Sequence, residues 1–338
     1  MDTLTHTLLG AAIGEAILGK KIGRKAIFYG ALISNLPDMD VLGVFFLSDS
    51  QQLLFHRGIT HSFFFIILIS ILLGWLTQFW IKDDRVNWMS WTKLFFITLL
   101  SHLLLDSLTC YGMGIFEPFS NYRLSFNTIF VADPFYTLPL LVGVLVPFIG
   151  KRDSKRTLKW NTIGLIISSF YLIFTILIHN YVLQVMEQSM KEQELSFDHF
   201  TVTPTPLNTF FWMGYSYDKE GTWIGYYSIF DKTKKIDYFR VDRKDSLLIP
   251  YKKDEMLKNL KQLSNGNFVI TKDDSNLYFN DIRFGQVSGW NNANDSFALS
   301  YNLNKNADNK RALNRLKYKE STYDWLVSLI NRIKGKQH

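Results

Sequence analysis

Apolar residues fall in long blocks along the first 185 positions and give way to short alternating stretches beyond them. Phe63 to Ile81 and Thr162 to Val185 approach or exceed the length needed to cross a hydrocarbon core of about 30 Å at about 1.5 Å per helical residue. Leu94 to Thr109 and Phe135 to Ile149 are shorter apolar blocks. Leu4 to Leu18 is apolar apart from Thr5, His6, Thr7 and Glu15, with Gly10 and Gly14 spaced as in close-packed membrane helices. Ala26 to Leu36 and Val41 to Leu47 complete the series, divided by Pro37, which breaks or kinks a helix. The pattern predicts an all-α polytopic membrane domain over residues 1–186, with about five to six apolar helices, some short.

Beyond it, Glu187 to Glu194 reads as a charged helical tail and Thr203-Pro204-Thr205-Pro206 as a rigid linker, making 187–206 a connector. Residues 207–338 carry aromatic, alternating stretches: Phe210 to Tyr217, Trp223 to Phe230, Tyr238 to Val241, Phe268 to Thr271, Leu277 to Phe284 and Phe297 to Leu303. Asp218-Lys219-Glu220-Gly221 suits a hairpin turn. Asp254 to Leu263 and Tyr323 to Ile333 have the period of amphipathic helices. A small soluble α+β domain, mostly of antiparallel strands, is expected.

Charge changes this picture by adding an orientation. The net charge is +7, but there is no basic stripe with interleaved aromatics, so no nucleic-acid partner is expected. Lys and Arg concentrate instead in alternate loops: four in 20–25, three in 82–93 and five in 151–159, against one each in 48–60 and 111–133. The positive-inside bias places the first set in the cytoplasm and the C-terminal domain outside it. The N-terminus lacks the basic start and uninterrupted apolar core of a signal peptide, so the first helix is expected to be retained. The single cysteine, Cys110, excludes an intramolecular disulfide and a thiolate zinc cluster.

Candidate chemistry lies in polar motifs set against the apolar blocks. His56-Arg57-Gly58-Ile59-Thr60-His61-Ser62 stands at the mouth of the block from Phe63, where unpartnered polar groups are costly. His102 and Asp106 share a helix face, four residues apart. Asp38 and Asp40 follow Pro37, and His6 lies on the first helix. Counting back from the nearest cytoplasmic Lys, His6, Asp38 and Asp106 each lie roughly 20 Å away by helical rise, which brings them to one depth in the outer half of the membrane. Imidazoles and carboxylates without thiolates suit a divalent metal, Zn or Mn foremost, and such an ion acidifies water for hydrolysis. The expected ligands are His6, Asp38, His56, His61, His102 and Asp106. Asp40 is the expected proton acceptor, with the division of base and ligand between Asp38 and Asp40 open, and Arg57 the anion clamp. Plainer roles exist beside these: Asp40 as a helix N-cap, Thr60 or Ser62 as the cap of the next helix, Asp133 before Pro134 as a helix start, and His179 and His199 as structural residues.

Thr5-His6, Leu36-Pro37-Asp38-Met39-Asp40, His56 to Ser62, and His102 with Asp106 together resemble the bacterial membrane-bound metal-dependent hydrolase family, also described as LexA-binding, inner-membrane-associated hydrolases. The likeness covers about residues 1–150 and implies a multi-pass protein of the bacterial cytoplasmic (inner) membrane that hydrolyses a substrate with a metal. The order of an early His, an Asp, further histidines and a His-x-x-x-Asp helix is also similar to zinc-dependent phospholipases C. That second likeness implies a phosphoester of a lipid or lipid-linked molecule as substrate. The rival expectation is a non-enzymatic metal-binding membrane scaffold whose outer domain binds a partner or an envelope polymer.

Overall fold

A computed structural model describes residues 1–149, 154–217, 221–273, 276–304, 313–314 and 321–336. The expected hairpin turn at Asp218 to Glu220 and the basic residues Lys151 and Arg152 lie outside the described residues. The chain divides into two compact units: Met1–Leu47 with Leu54–Thr175, and Ser48–Leu53 with Ile176–His338.

The first unit is helical. Helix α1 (Thr3–Ile22) starts where the Asp2 side chain accepts a hydrogen bond from the Thr5 amide, and α2 (Arg24–Ser34) follows after Gly23. The two helices pack backbone against backbone. A Cβ added at Gly10 would stand 2.3 Å from the Gly30 carbonyl oxygen, and one at Gly14 would stand 2.1 Å from that of Ala26. Only glycine permits this approach. A 3-10 segment from Pro37 to Phe45 leads to the short α3 (Asp49–Phe55), and a 3-10 turn from Ile59 to His61 leads to α4 (Phe63–Ile81). Helices α5 (Trp88–Ser107), α6 (Pro134–Ile149) and α7 (Ser154–Glu192) complete the helical part.

Three helical stretches are long and apolar enough to cross a membrane: Phe63–Ile81, Trp88–Ser107 and Leu158–Glu192. Pro134–Val146 is apolar but shorter. The five to six apolar helices expected from the sequence therefore yield three candidate spans among the described residues. Helix length accounts for part of the difference: the 11 residues of α2 rise only about 16 Å. Asn161 Nδ2 donates to the Ala12 carbonyl at 2.8 Å and Tyr171 Oη to Asp133 at 2.9 Å, so polar bonds join α7 to its neighbours.

The second unit contains two four-stranded antiparallel sheets, each in sequential order. The first comprises β1 (His199–Pro204), β2 (Phe211–Tyr217), β3 (Gly221–Ser228) and β4 (Tyr238–Asp242). The segment read as a linker is partly strand, since Thr203 and Pro204 pair with Met213 and Trp212; a proline is tolerated there because β1 is an edge strand. Helix α8 (Glu255–Leu263) precedes the second sheet, formed by β5 (Phe268–Asp273), β6 (Asn276–Asp281), β7 (Ser300–Asn302) and β8 (Leu313–Asn314), and α9 (Thr322–Ile333) follows it. Strand β2 is covered on both faces. Trp212 packs with Val182, Val185 and Met186 of α7, while Met213 and Tyr215 pack with Val269, Ile282 and Phe297.

Candidate metal centre

Local geometry explains how three separated motifs supply one cluster. Pro37 opens the 3-10 segment that carries Asp38 and Asp40. The Ser62 side chain caps α4 by accepting from the Phe65 amide, which leaves His61 at the helix entrance. His102 and Asp106 stand one turn apart on α5 and are buried.

Asp38, His61, His102 and Asp106 each offer a donor atom, and these four atoms lie within 4.8 Å of one another. His61 Nε2 is 3.3 Å from Asp38 Oδ1, 3.6 Å from Asp106 Oδ2 and 3.2 Å from His102 Nε2. His102 Nε2 is 3.8 Å from Asp38 Oδ1 and 3.7 Å from Asp106 Oδ2. A tetrahedral zinc with bonds of about 2.0–2.1 Å has donor-to-donor edges of about 3.3–3.4 Å, so the five edges that involve His61 or His102 need little contraction to surround an ion. Asp106 Oδ2 is also a buried carboxylate oxygen without a hydrogen bond, a costly condition that a cation would relieve. The residues fit a divalent metal.

Surrounding groups orient the donors. His102 Nδ1 bonds the Ser34 carbonyl at 2.7 Å, which leaves Nε2 for the cluster. His61 Nδ1 lies 3.1 Å from Thr60 Oγ1 and 3.4 Å from Asp40 Oδ2. This is the arrangement by which a carboxylate behind a metal-binding imidazole fixes its tautomer and ring direction. Asp40 in turn accepts from the Arg57 amide at 2.9 Å and from the Thr60 hydroxyl at 2.8 Å, and shares a 2.7 Å hydrogen bond with His56 Nδ1. Burial would raise the Asp38 carboxyl, but the hydrogen bond from His61 and the charges of His102 and His61 lower it to about 2. Burial likewise acts to raise Asp40, and bonds and charge from His56 and His61 hold it well below the usual carboxylate range.

The structure places the other expected site residues around the four donors. His6 Nε2 is 3.1 Å from Asp106 Oδ1, and its ring stacks on His102 at 3.7 Å. The Met1 amino group also pairs with Asp106. His56 contacts Asp40 and is 38% exposed, so it belongs to the rim and is not one of the four. Arg57 is buried, with its Nη2 at 3.4 Å from Asp106 Oδ2, its Nη1 donating to Thr109 Oγ1 at 3.3 Å, and its guanidinium 4.6 Å from the centre of the Tyr111 ring. Its backbone is left-handed, with φ of 59°, a conformation that residues other than glycine rarely adopt outside constrained sites. Asp133 stands apart: it bonds the Phe135 amide and Tyr171 and so starts α6. His179 packs against Trp212, and His199 against Tyr217.

Several contributors had no sequence signal of their own. Buried Arg123 donates to the carbonyls of Leu54 at 3.1 Å and His56 at 2.8 Å, and so braces the His-Arg motif. Only its standing as the lone basic residue of an aromatic, Gly-containing loop could have marked it. Tyr111 and Thr109 are likewise found only through their contacts with Arg57.

Membrane-crossing helices joined to a His/Asp cluster that could hold a metal ion define an integral membrane protein with a candidate metal site. Residues 1–182 match the model of the family described as YdjM inner membrane protein, and the chain belongs to that family. It is also similar to inner membrane protein YbcI of Escherichia coli (strain K12), with 33% identity over 113 residues. That alignment covers 33% of this chain and 63% of the relative's length. No solved structure matches the chain.

Proposed function

We propose that the protein is a metal-dependent hydrolase of the inner membrane that cleaves a phosphoester, or another ester, of a lipid or lipid-linked substrate at the outer face. The observation that carries this reading is the convergence of Asp38, His61, His102 and Asp106, from three separate stretches of chain, within 4.8 Å. Asp38 is 21% exposed while the other three are buried, which makes its side the approach to the site. Apolar side chains favour an amphiphile there. Met39, Phe45 and Phe46 on the aspartate-bearing segment are exposed, as are Phe116 and Phe119 of the loop joined to Arg57 through the Gly114 amide. The alternation of basic loops supports the outward orientation of the site and of the C-terminal unit.

Asp38, His61, His102 and Asp106 would hold the ion. A bound divalent ion supplies Lewis acidity and lowers the pKa of water. Arg57, fixed by Thr109 and Tyr111, offsets negative charge gathering on the substrate oxygens. Asp40, the proton acceptor expected from the sequence, has its oxygens engaged by the Arg57 amide, the Thr60 hydroxyl and His56 Nδ1. Its bonds suit it to orient His61, and the half-exposed His56 that it holds through Nδ1 is the better-placed proton acceptor.

The test is turnover by the full chain in phospholipid vesicles that also carry lipid-linked phosphates, with release of phosphate or headgroup measured. Chelator-sensitive release that falls about 100-fold in Arg57→Ala, while metal content is kept, is the expected result. Bound metal with no release from any of these substrates would overturn hydrolysis and leave the scaffold reading.

A further inference from the structure

We infer that the second unit carries a binding site for an uncharged saccharide, in a cleft lined by β4, β5, β6 and the loop from Gln286 to Phe297. The cleft encloses about 420 Å³, within the roughly 300–1,000 Å³ of small-ligand sites. It lies wholly inside that unit, and the inference is independent of the metal reading. Strand alternation makes its floor. Phe268, Ile270 and Phe279 turn one face of the second sheet into a core, so Thr271, Tyr278, Asn280 and Ser300 fall on the other. A polar face of this kind ordinarily meets water, yet Asn280 and Ser300 are buried and line the cleft. Ser300 Oγ donates to Asn280 Oδ1 at 2.6 Å, and Asn280 Nδ2 to Thr271 Oγ1 at 2.9 Å. Having accepted there, the Thr271 hydroxyl keeps its own proton to donate.

The wall opposite is set in advance. Gln286 Nε2 donates to the carbonyls of Ala293 at 2.9 Å and Asp295 at 2.8 Å, and the Asp295 carboxylate accepts from the amides of Ser288 at 2.7 Å and Ser296 at 2.8 Å. These bonds tie the loop to itself, so little freedom is lost there when a ligand enters. Gln286 Oε1 is buried without a hydrogen bond among the described residues, an acceptor that a ligand hydroxyl would satisfy. Charge then selects the occupant. At the rim Arg240 and Lys244 are matched by Asp242 and Asp273, all four exposed, and Asp295 is already spent on backbone amides. There is no surplus of cations to hold a phosphate, and none of carboxylates to hold a cation. What remains is a floor of neutral donors and acceptors beside the half-buried ring of Tyr278 and the buried Phe297. That combination suits a sugar, whose hydroxyls each donate and accept and whose C–H faces pack on aromatic rings.

The experiment is calorimetric titration of the full chain, in lipid nanodiscs free of glycosidic detergent, with chitotetraose, cellotetraose, maltotetraose and inorganic phosphate. At least one of the three glycans is expected to bind with Kd of about 1 mM or tighter, and its affinity to stay within about 2-fold as salt is raised, because neither partner relies on net charge. Thr271→Val and Tyr278→Ala are each expected to weaken that binding about 10-fold, while Thr271→Ser restores it. Tyr251→Phe removes a hydroxyl bond elsewhere in the same unit and is expected to bind as wild type. Thermal melting checks that each variant is folded, and Tyr278→Ala, at a half-buried position, carries the test if Thr271→Val does not fold. No binding of any of the three glycans, or binding of phosphate alone, would overturn the inference. Glycan binding unchanged in folded Tyr278→Ala, or weakened equally in Tyr251→Phe, would overturn it as well.

Discussion

In the second unit Asp281 and Arg283 are both almost completely buried, and they meet at 2.6 Å with further hydrogen bonds between the same two side chains. In the first unit Asp106 is equally buried, yet one of its oxygens has no hydrogen bond and faces two imidazole nitrogens. Buried charge is expensive and is tolerated when paired. The first arrangement closes on itself and has no need of a ligand. The second gathers donors whose natural complement is a cation; Arg57 at 3.4 Å and the Met1 amino group, which pairs with the other carboxylate oxygen, supply only part of it. Burial alone therefore does not mark a site; what distinguishes the two regions is whether the buried group already has its partners.

The largest expected effect is at Asp106. Asp106→Asn should lower metal affinity by more than about 100-fold, beyond the 10–100-fold typical of an outer-layer change, as read by equilibrium dialysis. Retention of metal would remove the contrast with Asp281. Arg283→Ala should destabilise the second unit by about 3–5 kcal/mol, because it strands a buried carboxylate, with bound metal per folded chain unchanged. Chemical denaturation followed by tryptophan fluorescence checks the first part and elemental analysis the second. Asp40→Asn should weaken metal binding about 10–100-fold by freeing the His61 ring, a smaller loss than removing a donor; an equal loss would move Asp40 into the donor set. Ser62→Ala should cost about 1 kcal/mol through the lost α4 cap and leave affinity within about 2-fold, as read by melting and titration. A larger affinity loss would show that the cap also holds His61.

Much of this arrangement was legible in the sequence because it depends on local spacing. His102 and Asp106 are a turn apart, Phe63 to Ile81 is a full apolar block that forms α4 over the same residues, and the period of 254–263 and 323–333 matches α8 and α9. The number of membrane-crossing helices was not legible. Leu4 to Leu18 and Ala26 to Leu36 are apolar enough to suggest spans, but their glycines serve a backbone-to-backbone contact whose existence depends on the partner helix. Thr203 to Pro206 carries the residues of a linker and yet begins within β1, because pairing with β2 is a long-range fact. The same holds for the site. His6 and His56 are the residue types a metal takes, but only the fold shows His6 stacked on a donor and His56 bonded to Asp40. Arg123 acts on backbone carbonyls, which have no sequence signature.

The central claim is that the first unit's cluster holds a metal, and the most direct measurement is elemental analysis of detergent-purified wild type beside the His61→Ala, His102→Ala double variant. Folding of both is checked by thermal melting. Stoichiometric zinc or manganese in wild type, lost from a variant that still melts cooperatively, is the predicted result. A wild type without metal after supplementation, or a folded double variant that keeps its full complement, would contradict the account.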